Sequence, residues 1–186
     1  MVFSAVELSR RPGSMIETAR VIEAPEAVGT DVIAVPAGAP LEVEIRLESV
    51  LEGVLATGTV RATASGACVR CLDVVTAPVI GDFQELFVHP ERAARHRETG
   101  ASDEQDPDYE VQDDHLDLES VLVDAVVPAL PFQPVCRDDC PGLCPQCGLR
   151  LADDPTHDHE DLDPRWSALA HLGSSAGADR PNQKRN

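Results

Sequence analysis

The architecture of this chain is set by the stretch Leu41-Glu-Val-Glu-Ile-Arg-Leu-Glu-Ser-Val-Leu-Glu-Gly-Val-Leu-Ala-Thr-Gly-Thr-Val-Arg-Ala-Thr-Ala-Ser-Gly-Ala-Cys-Val-Arg-Cys71. Apolar and charged residues alternate from Leu41 to Glu48, which is the period of a strand with one buried and one solvent-facing side. Gly53 predicts a turn, and residues 54–63 predict an antiparallel partner strand. The pattern therefore predicts a β-hairpin that leads into a pair of cysteines.

Further elements are predicted on either side of this hairpin. Residues 32–35 predict a short strand between turns, and residues 72–80 and 83–88 predict two more strands of a meander. After them, apolar residues recur at helical spacing and predict an amphipathic helix over about 117–130. The residues of this stripe are Leu118, Val121, Leu122, Ala125, Val126 and Ala129. The predicted class is α+β: an antiparallel β meander or partial barrel over about 30–90, packed by one helix.

The chain is predicted to form a single domain over residues 1–172. Residues 91–115 are acidic and lack apolar periodicity, which favours a mobile insertion. A Cys/His zinc-binding segment is predicted at 136–160, followed by a short final helix that begins at Asp163-Pro164 and includes Trp166. Residues 173–186 are predicted to form a disordered tail.

All the cysteines fall into two clusters, and two histidines follow the second. The first cluster is Cys68-Val-Arg-Cys71, and the second is Cys136-Arg-Asp-Asp-Cys140-Pro-Gly-Leu-Cys144-Pro-Gln-Cys147. His157 and His159 come after them. A structural zinc ion takes four Cys or His ligands in a tetrahedron. The eight residues therefore predict one or two structural zinc ions.

The spacing leaves the pairing of these ligands open. In one arrangement Cys136, Cys140, Cys144 and Cys147 form a compact site, and the remaining residues form another. In a second arrangement Cys144 and Cys147 join the histidine pair, while Cys136 and Cys140 join Cys68 and Cys71. The second arrangement would fasten the C-terminal segment to the hairpin.

An alternative reading of two of these residues is simpler. Cys68 and Cys71 could be small buried hydrophobic residues. A catalytic zinc needs an open coordination position. Four protein ligands leave none, so the sequence predicts no enzyme.

Charge and composition restrict the partners. The chain has 186 residues and a formal net charge of −18, from 15 basic and 33 acidic residues. Such a charge disfavours a broad phosphate-binding surface and favours basic partners. No leader peptide or membrane-length apolar run is predicted. The protein is therefore predicted to be cytoplasmic, where clustered thiols more often bind metal than form disulfides.

Several segments together resemble the YceD family of large ribosomal RNA subunit accumulation proteins. They are Phe3–Gly13, Leu47–Val60, Cys68–Leu72, Pro141–Leu151 and Asp163–Leu169. Family members with the C-terminal cysteines often carry Cys-x-Cys near the position of His157-x-His159. The resemblance therefore implies that the two histidines replace a thiol pair as ligands.

The resemblance also implies a non-catalytic role in the accumulation of large-subunit (23S) rRNA. The acidic charge favours a basic ribosomal protein or a pre-50S assembly intermediate as the partner over direct contact with rRNA. No membrane or small-molecule substrate is predicted. Two other functions remain open: a zinc-dependent protein-interaction adaptor outside ribosome assembly, and a Cys-x-x-Cys thiol redox protein.

Overall fold

A computed structural model of the protein describes residues 1–93, 109–159 and Arg165. Its strands are β1 (Val2–Ser4), β2 (Met15–Glu23), β3 (Val28–Gly29), β4 (Ile33–Val35), β5 (Pro40–Ser49), β6 (Gly53–Ala67), β7 (Val74–Val88) and β8 (His115–Asp117). Helix α1 spans Glu119–Val126, and a 3-10 turn follows at Val127–Ala129. Among these elements, no helix has the length and apolar character needed to cross a membrane.

Strand β6 is the centre of a six-stranded antiparallel sheet. One of its edges pairs with β7 along its whole length, from Gly53 opposite Val88 to Ala67 opposite Val74. The other edge pairs first with β5 and then with β4, while β2 extends the sheet beyond β5 and β3 extends it beyond β4. The predicted meander of β5, β6 and β7 and the α+β class are confirmed.

The alternation in β5 determines which side of the sheet is buried. Leu41, Val43, Ile45 and Leu47 are all at most 3% exposed, whereas the charged residues between them face solvent. Val54, Ala56 and Val60 of β6 continue the buried side, and Phe83 and Phe87 of β7 complete it. The buried side packs against α1 and the small β1–β8 sheet. Among the residues that the structure describes, no helix or strand packs on the opposite side.

The structure corrects two boundaries. Residues 72–88 contain one strand, β7, where a break near Gly81 was expected. An added Cβ at Gly81 would lie 2.3 Å from the carbonyl oxygen of Ala125 in α1, so this glycine lets the helix approach the strand closely and does not end it. Helix α1 is also shorter than the predicted 117–130, and its carboxyl end tightens into the 3-10 turn that contains Pro128.

Gly81→Ala is expected to destabilise the protein by about 1–3 kcal/mol, because the methyl group would push α1 off the sheet. Thr76→Ala, at an exposed position of the same strand, should change the free energy of unfolding by less than about 0.5 kcal/mol. Urea denaturation of both variants measures the difference. Equal midpoints for the two variants would contradict the close approach of α1 to β7.

The amino-terminal strand and the end of the predicted insertion add a second layer. Strand β1 pairs with β8, with Phe3 opposite Leu116, and both side chains are fully buried. Tyr109 stacks obliquely on Phe87 at 5.2 Å between ring centroids, and Val111 is buried. Tyr109 and Val111 thus pack on the core, although they fall within the stretch predicted to be mobile.

Several predictions fall on residues that the structure does not describe. They are the central part of the insertion at 94–108, the final helix that would begin at Asp163, and the tail at 173–186. These three assignments stay predictions.

Candidate metal centres

The turn between β6 and β7 meets the segment that follows α1. The turn carries Cys68 and Cys71, and the later segment carries Cys136 and Cys140. The Sγ atoms of Cys68 and Cys140 lie 3.9 Å apart, and those of Cys71 and Cys136 lie 3.6 Å apart. All four sulfurs lie within 4.8 Å of one another. We call these residues the four-cysteine cluster.

Backbone hydrogen bonds hold the two segments of the four-cysteine cluster together. The amide of Val69 donates to the carbonyl oxygen of Pro134 at 2.9 Å, and that of Leu143 donates to the carbonyl oxygen of Arg70 at 3.0 Å. The Arg70 guanidinium donates in turn to the carbonyl oxygens of Asp138 and Cys140. The approach of the thiols therefore follows from main-chain pairing on both sides of the turn.

A second group of ligands forms within a single loop. The Nε2 atoms of His157 and His159 lie 3.2 and 3.3 Å from the Sγ atom of Cys147, and 2.8 Å from each other. Cys144 completes the group, in which all ligand atoms again lie within 4.8 Å. In the turn before His157, Asp154 accepts hydrogen bonds from the backbone and hydroxyl of Thr156. We call this group the Cys/His cluster.

The structure thus brings all eight predicted ligands together in two sets of four. The grouping matches the arrangement that joins Cys136 and Cys140 to Cys68 and Cys71. The compact alternative is not formed, because Cys144 and Cys147 turn away toward the histidines. All six cysteines are free thiols. Each cluster could hold a metal ion.

The chain matches a family model described as "Large ribosomal RNA subunit accumulation protein YceD" over residues 56–173. The chain belongs to the YceD family. It is also 46% identical over 172 residues to an uncharacterized protein of Mycobacterium tuberculosis and to one of Mycobacterium bovis, covering 92% of this chain and 81% of each relative. An uncharacterized protein of Mycobacterium leprae is 39% identical over the same length, covering 92% of this chain and 77% of the relative. No solved structure matches the chain.

The two clusters of this YceD-family chain differ in burial and in the sequence separation of their residues. Three residues of the four-cysteine cluster are buried, and its contacts join residues 65 and 72 positions apart. In the Cys/His cluster Cys147 is exposed, its histidines are half-buried, and the whole set lies between residues 144 and 159. The first cluster therefore connects distant parts of the fold, whereas the second organises a local loop.

Both Cys-x-x-Cys turns of this YceD-family chain close in the same backbone conformation. The amide of Gly148 donates to the carbonyl oxygen of Cys144, and that of Leu72 donates to the carbonyl oxygen of Cys68, each at 2.9 Å. The φ angles are 73° at Gly148 and 64° at Leu72. A left-handed conformation costs a non-glycine residue about 1–2 kcal/mol. Leu72 therefore carries a backbone strain that Gly148 does not.

The cysteine thiols of the two clusters differ in pKa. Burial raises the pKa of Cys68, but backbone N–H groups led by that of Cys136 outweigh it and lower the pKa to about 6. The N–H groups of Cys147 and Gln146 likewise lower the pKa of Cys144 to about 6. The N–H of Asp73 favours the Cys71 thiolate, yet burial and the neighbouring sulfurs raise its pKa to about 12. A bound cation would relieve the repulsion between neighbouring thiolates. The sulfurs therefore form a site suited to a cation.

Sequence reasoning missed the residues that fasten the Cys/His loop to the body. Arg150 lies between the two clusters and forms an ion pair with Asp73, which follows the first Cys-x-x-Cys turn. The amide of Leu151 also donates to the carbonyl oxygen of Gly142 at 3.1 Å. Opposite charges at Asp73 and Arg150 were visible in the sequence, but no local pattern indicates that residues so far apart meet.

Proposed function

We propose that this protein supports the accumulation of large-subunit (23S) rRNA as a non-catalytic factor whose fold is stabilised by two structural zinc ions. Membership of the YceD family, whose model is described by that accumulation, carries the proposal. The protein would act in the cytoplasm, where ribosomal subunits assemble. The two ligand clusters support the structural part of the proposal.

The donor sets suit zinc. Tetrahedral zinc with Zn–S bonds of about 2.3 Å places two sulfurs roughly 3.8 Å apart. The sulfur pairs of the four-cysteine cluster lie 3.9 and 3.6 Å apart. Thiolate and imidazole together are also the ligands that zinc takes in structural sites. We therefore assign Cys68, Cys71, Cys136 and Cys140 to one ion, and Cys144, Cys147, His157 and His159 to the other.

The same ligand sets favour a structural role over a catalytic one. Each tetrahedral ion would have four protein ligands and no open position for water or substrate. A redox-active thiol needs a lowered pKa together with access to its reaction partner. Cys68 and Cys144, whose pKa values are lowered, are both buried. Within the described ranges 1–93 and 109–159, both pairs lie in turns beside two further ligands.

The charge of the chain supports a basic protein partner. At a net charge of −18, the protein would repel phosphates unless basic residues were concentrated on one face. A basic ribosomal protein, free or in a pre-50S assembly intermediate, is attracted by the same charge. We therefore propose such a partner in place of direct binding to rRNA.

Depletion of the protein is expected to lower 23S rRNA relative to 16S rRNA and to reduce free large subunits. The expectation follows from the proposed role, since subunits that fail to assemble leave their rRNA open to degradation. RNA quantification and sucrose-gradient profiles from the same cultures measure both effects.

Complementation separates a specific role from a general loss of fitness. The wild-type chain and Val69→Ser, which alters an exposed residue beside the four-cysteine cluster, should restore 23S rRNA. Cys68→Ser should fail to do so, because it removes a proposed ligand. Unchanged 23S rRNA and subunit profiles after depletion would refute the proposed function.

A further inference from the structure

We propose that the open face of the main sheet is a docking surface for a lysine- and arginine-rich protein segment that carries an apolar anchor. The open face is the solvent side of β2, β5, β6 and β7, on which Glu17, Glu42, Thr57 and Ile80 lie. This inference rests on the proposed function only in expecting the segment to belong to a protein of the large ribosomal subunit.

The open face has no covering element among the described residues. Strand register places Val21, Glu42, Arg61 and Ile80 in one row across the four strands. Val21 and Ile80 are 68% and 59% exposed. Helix α1 and the β1–β8 sheet both lie on the opposite side. The described part of the chain therefore leaves a four-stranded antiparallel surface uncovered.

The charges of the open face select a cationic partner. Its two arginines are already paired, Arg61 with Glu44 at 3.0 Å and Arg46 with Glu48 at 3.7 Å. Glu17, Glu42 and Asp82 have no cationic partner within residues 1–93 and 109–159. The surplus charge is negative, so the surface would attract lysine and arginine side chains and repel phosphates or a second copy of this acidic chain.

The shape of the open face provides places for side chains. A shallow hollow of about 550 Å³ lies at its centre, lined by Glu17, Ala19, Glu44, Arg46 and Thr59 among others. Arg46 is paired with Glu48. Ala19 carries only a methyl group, which leaves room between the longer side chains of its neighbours. A guanidinium or ammonium group in this hollow would lie beside the carboxylates of Glu17 and Glu44.

An apolar groove continues the surface at the β5–β6 turn. It has a volume of about 410 Å³ and is lined by Pro12, Val50, Leu51 and Leu86. Leu51 is 70% exposed. The row that contains Leu86 is two residues from the row that contains Glu17, a separation of about 7 Å along a strand. A single extended segment could therefore place an apolar side chain in the groove and basic side chains over the hollow.

This combination resembles the anatomy of protein interfaces, in which a few apolar anchors supply affinity and surrounding charges supply specificity. The negative charge decides between candidate occupants. RNA would bring phosphates to a face whose two described arginines are both paired with glutamates, and self-association would bring carboxylates against carboxylates. A basic protein segment satisfies both the groove and the charge.

The test uses the full, zinc-loaded chain immobilised at constant salt, with RNA-free total protein from purified large ribosomal subunits as the probe. One variant combines Glu17→Lys and Glu42→Lys on the open face with Leu51→Ser in the apolar groove. The matched control combines Glu26→Lys, Asp31→Lys and Val32→Ser, which are exposed residues around β3 and β4. Both variants change the net charge equally and remove one exposed apolar side chain, and equal melting curves verify that both are folded.

The open-face variant is expected to capture about tenfold less of the basic protein it binds, while the control stays within about twofold of the wild type. An equal loss in both variants would overturn the proposal, since net charge alone would explain it. So would unchanged capture by the open-face variant, preferential capture of purified 23S rRNA, or a self-association that only the open-face variant loses.

The outcome is separable from that of the proposed function. If depletion leaves 23S rRNA unchanged but the open-face variant still loses its captured protein, the docking surface stands and the proposed function fails. If depletion lowers 23S rRNA while the open-face variant captures as much as the wild type, the docking surface fails alone.

Discussion

Cys68→Ser is expected to lower the melting temperature of the zinc-loaded protein by about 10 °C or more. The four-cysteine cluster joins Cys68 to Cys140 across 72 residues. A cross-link that closes a loop of that length restricts the unfolded chain by about 4 kcal/mol in the chain-entropy model. Cys68 is also fully buried, and the substitution leaves three thiols, which do not complete a tetrahedral site.

Thermal melts with and without a strong zinc chelator measure this effect. The chelator should lower the melting temperature of the wild type by a similar amount, because the free energy of metal binding to a folded site is part of the free energy of folding. The chelator should lower the melting temperature of Cys68→Ser much less. Val69→Ser, at the neighbouring exposed position, serves as the control and should melt like the wild type. A Cys68→Ser protein that melts at the wild-type temperature would show that this cluster does not stabilise the fold.

His157→Ala is expected to abolish metal binding at the Cys/His cluster while leaving the core folded. All ligands of this cluster lie between residues 144 and 159. Their loss therefore releases a local loop and does not separate distant parts of the chain. The buried side of the main sheet contains none of these residues. We expect the main unfolding transition to shift by less than about 1 kcal/mol.

The metal content of the purified variant, measured together with its urea denaturation, tests this prediction. Thr156→Ala, beside the same histidine, is the matched control. It removes a hydroxyl that donates to Asp154 but no proposed ligand, so it should retain the full metal content. Loss of the main unfolding transition in His157→Ala would contradict the local role of the cluster, as would retention of the full metal content.

The parts of the fold that follow from local periodicity were predictable. The alternation from Leu41 to Glu48 identified β5 and its buried side, and the spacing of Leu118, Val121 and Leu122 identified α1. Strand β2 was missed, because its inward-facing positions include Thr18 and Arg20 and so give no clean apolar alternation. The β1–β8 pair was missed because its three-residue strands lie more than a hundred positions apart and give almost no local signal.

Gly81 shows a different limit of sequence reasoning. A glycine within an apolar run most often marks a turn or a bulge, which favours two strands over one. The close approach of Ala125 to this glycine depends on how α1 packs, and no local pattern encodes that packing.

The candidate site was predictable in its membership and ambiguous in its pairing. Ligand type and spacing indicated the six cysteines, and the resemblance to the YceD family indicated His157 and His159; the structure brings all eight together. The pairing depends on whether the segment after α1 returns to the β6–β7 turn. Long-range contacts determine whether the segment returns. They include the hydrogen bond from the amide of Val69 to the carbonyl oxygen of Pro134 and the ion pair between Arg150 and Asp73.

The central claim is that each cluster holds one structural zinc ion. Native mass spectrometry of the full chain, purified without added metal, tests it most directly, with element analysis to identify the ion. We predict two zinc ions per chain in the wild type, and one in His157→Ala, with that ion retained by the four-cysteine cluster. A wild-type chain that is folded but carries no zinc, or carries one ion that His157→Ala does not change, would contradict the claim.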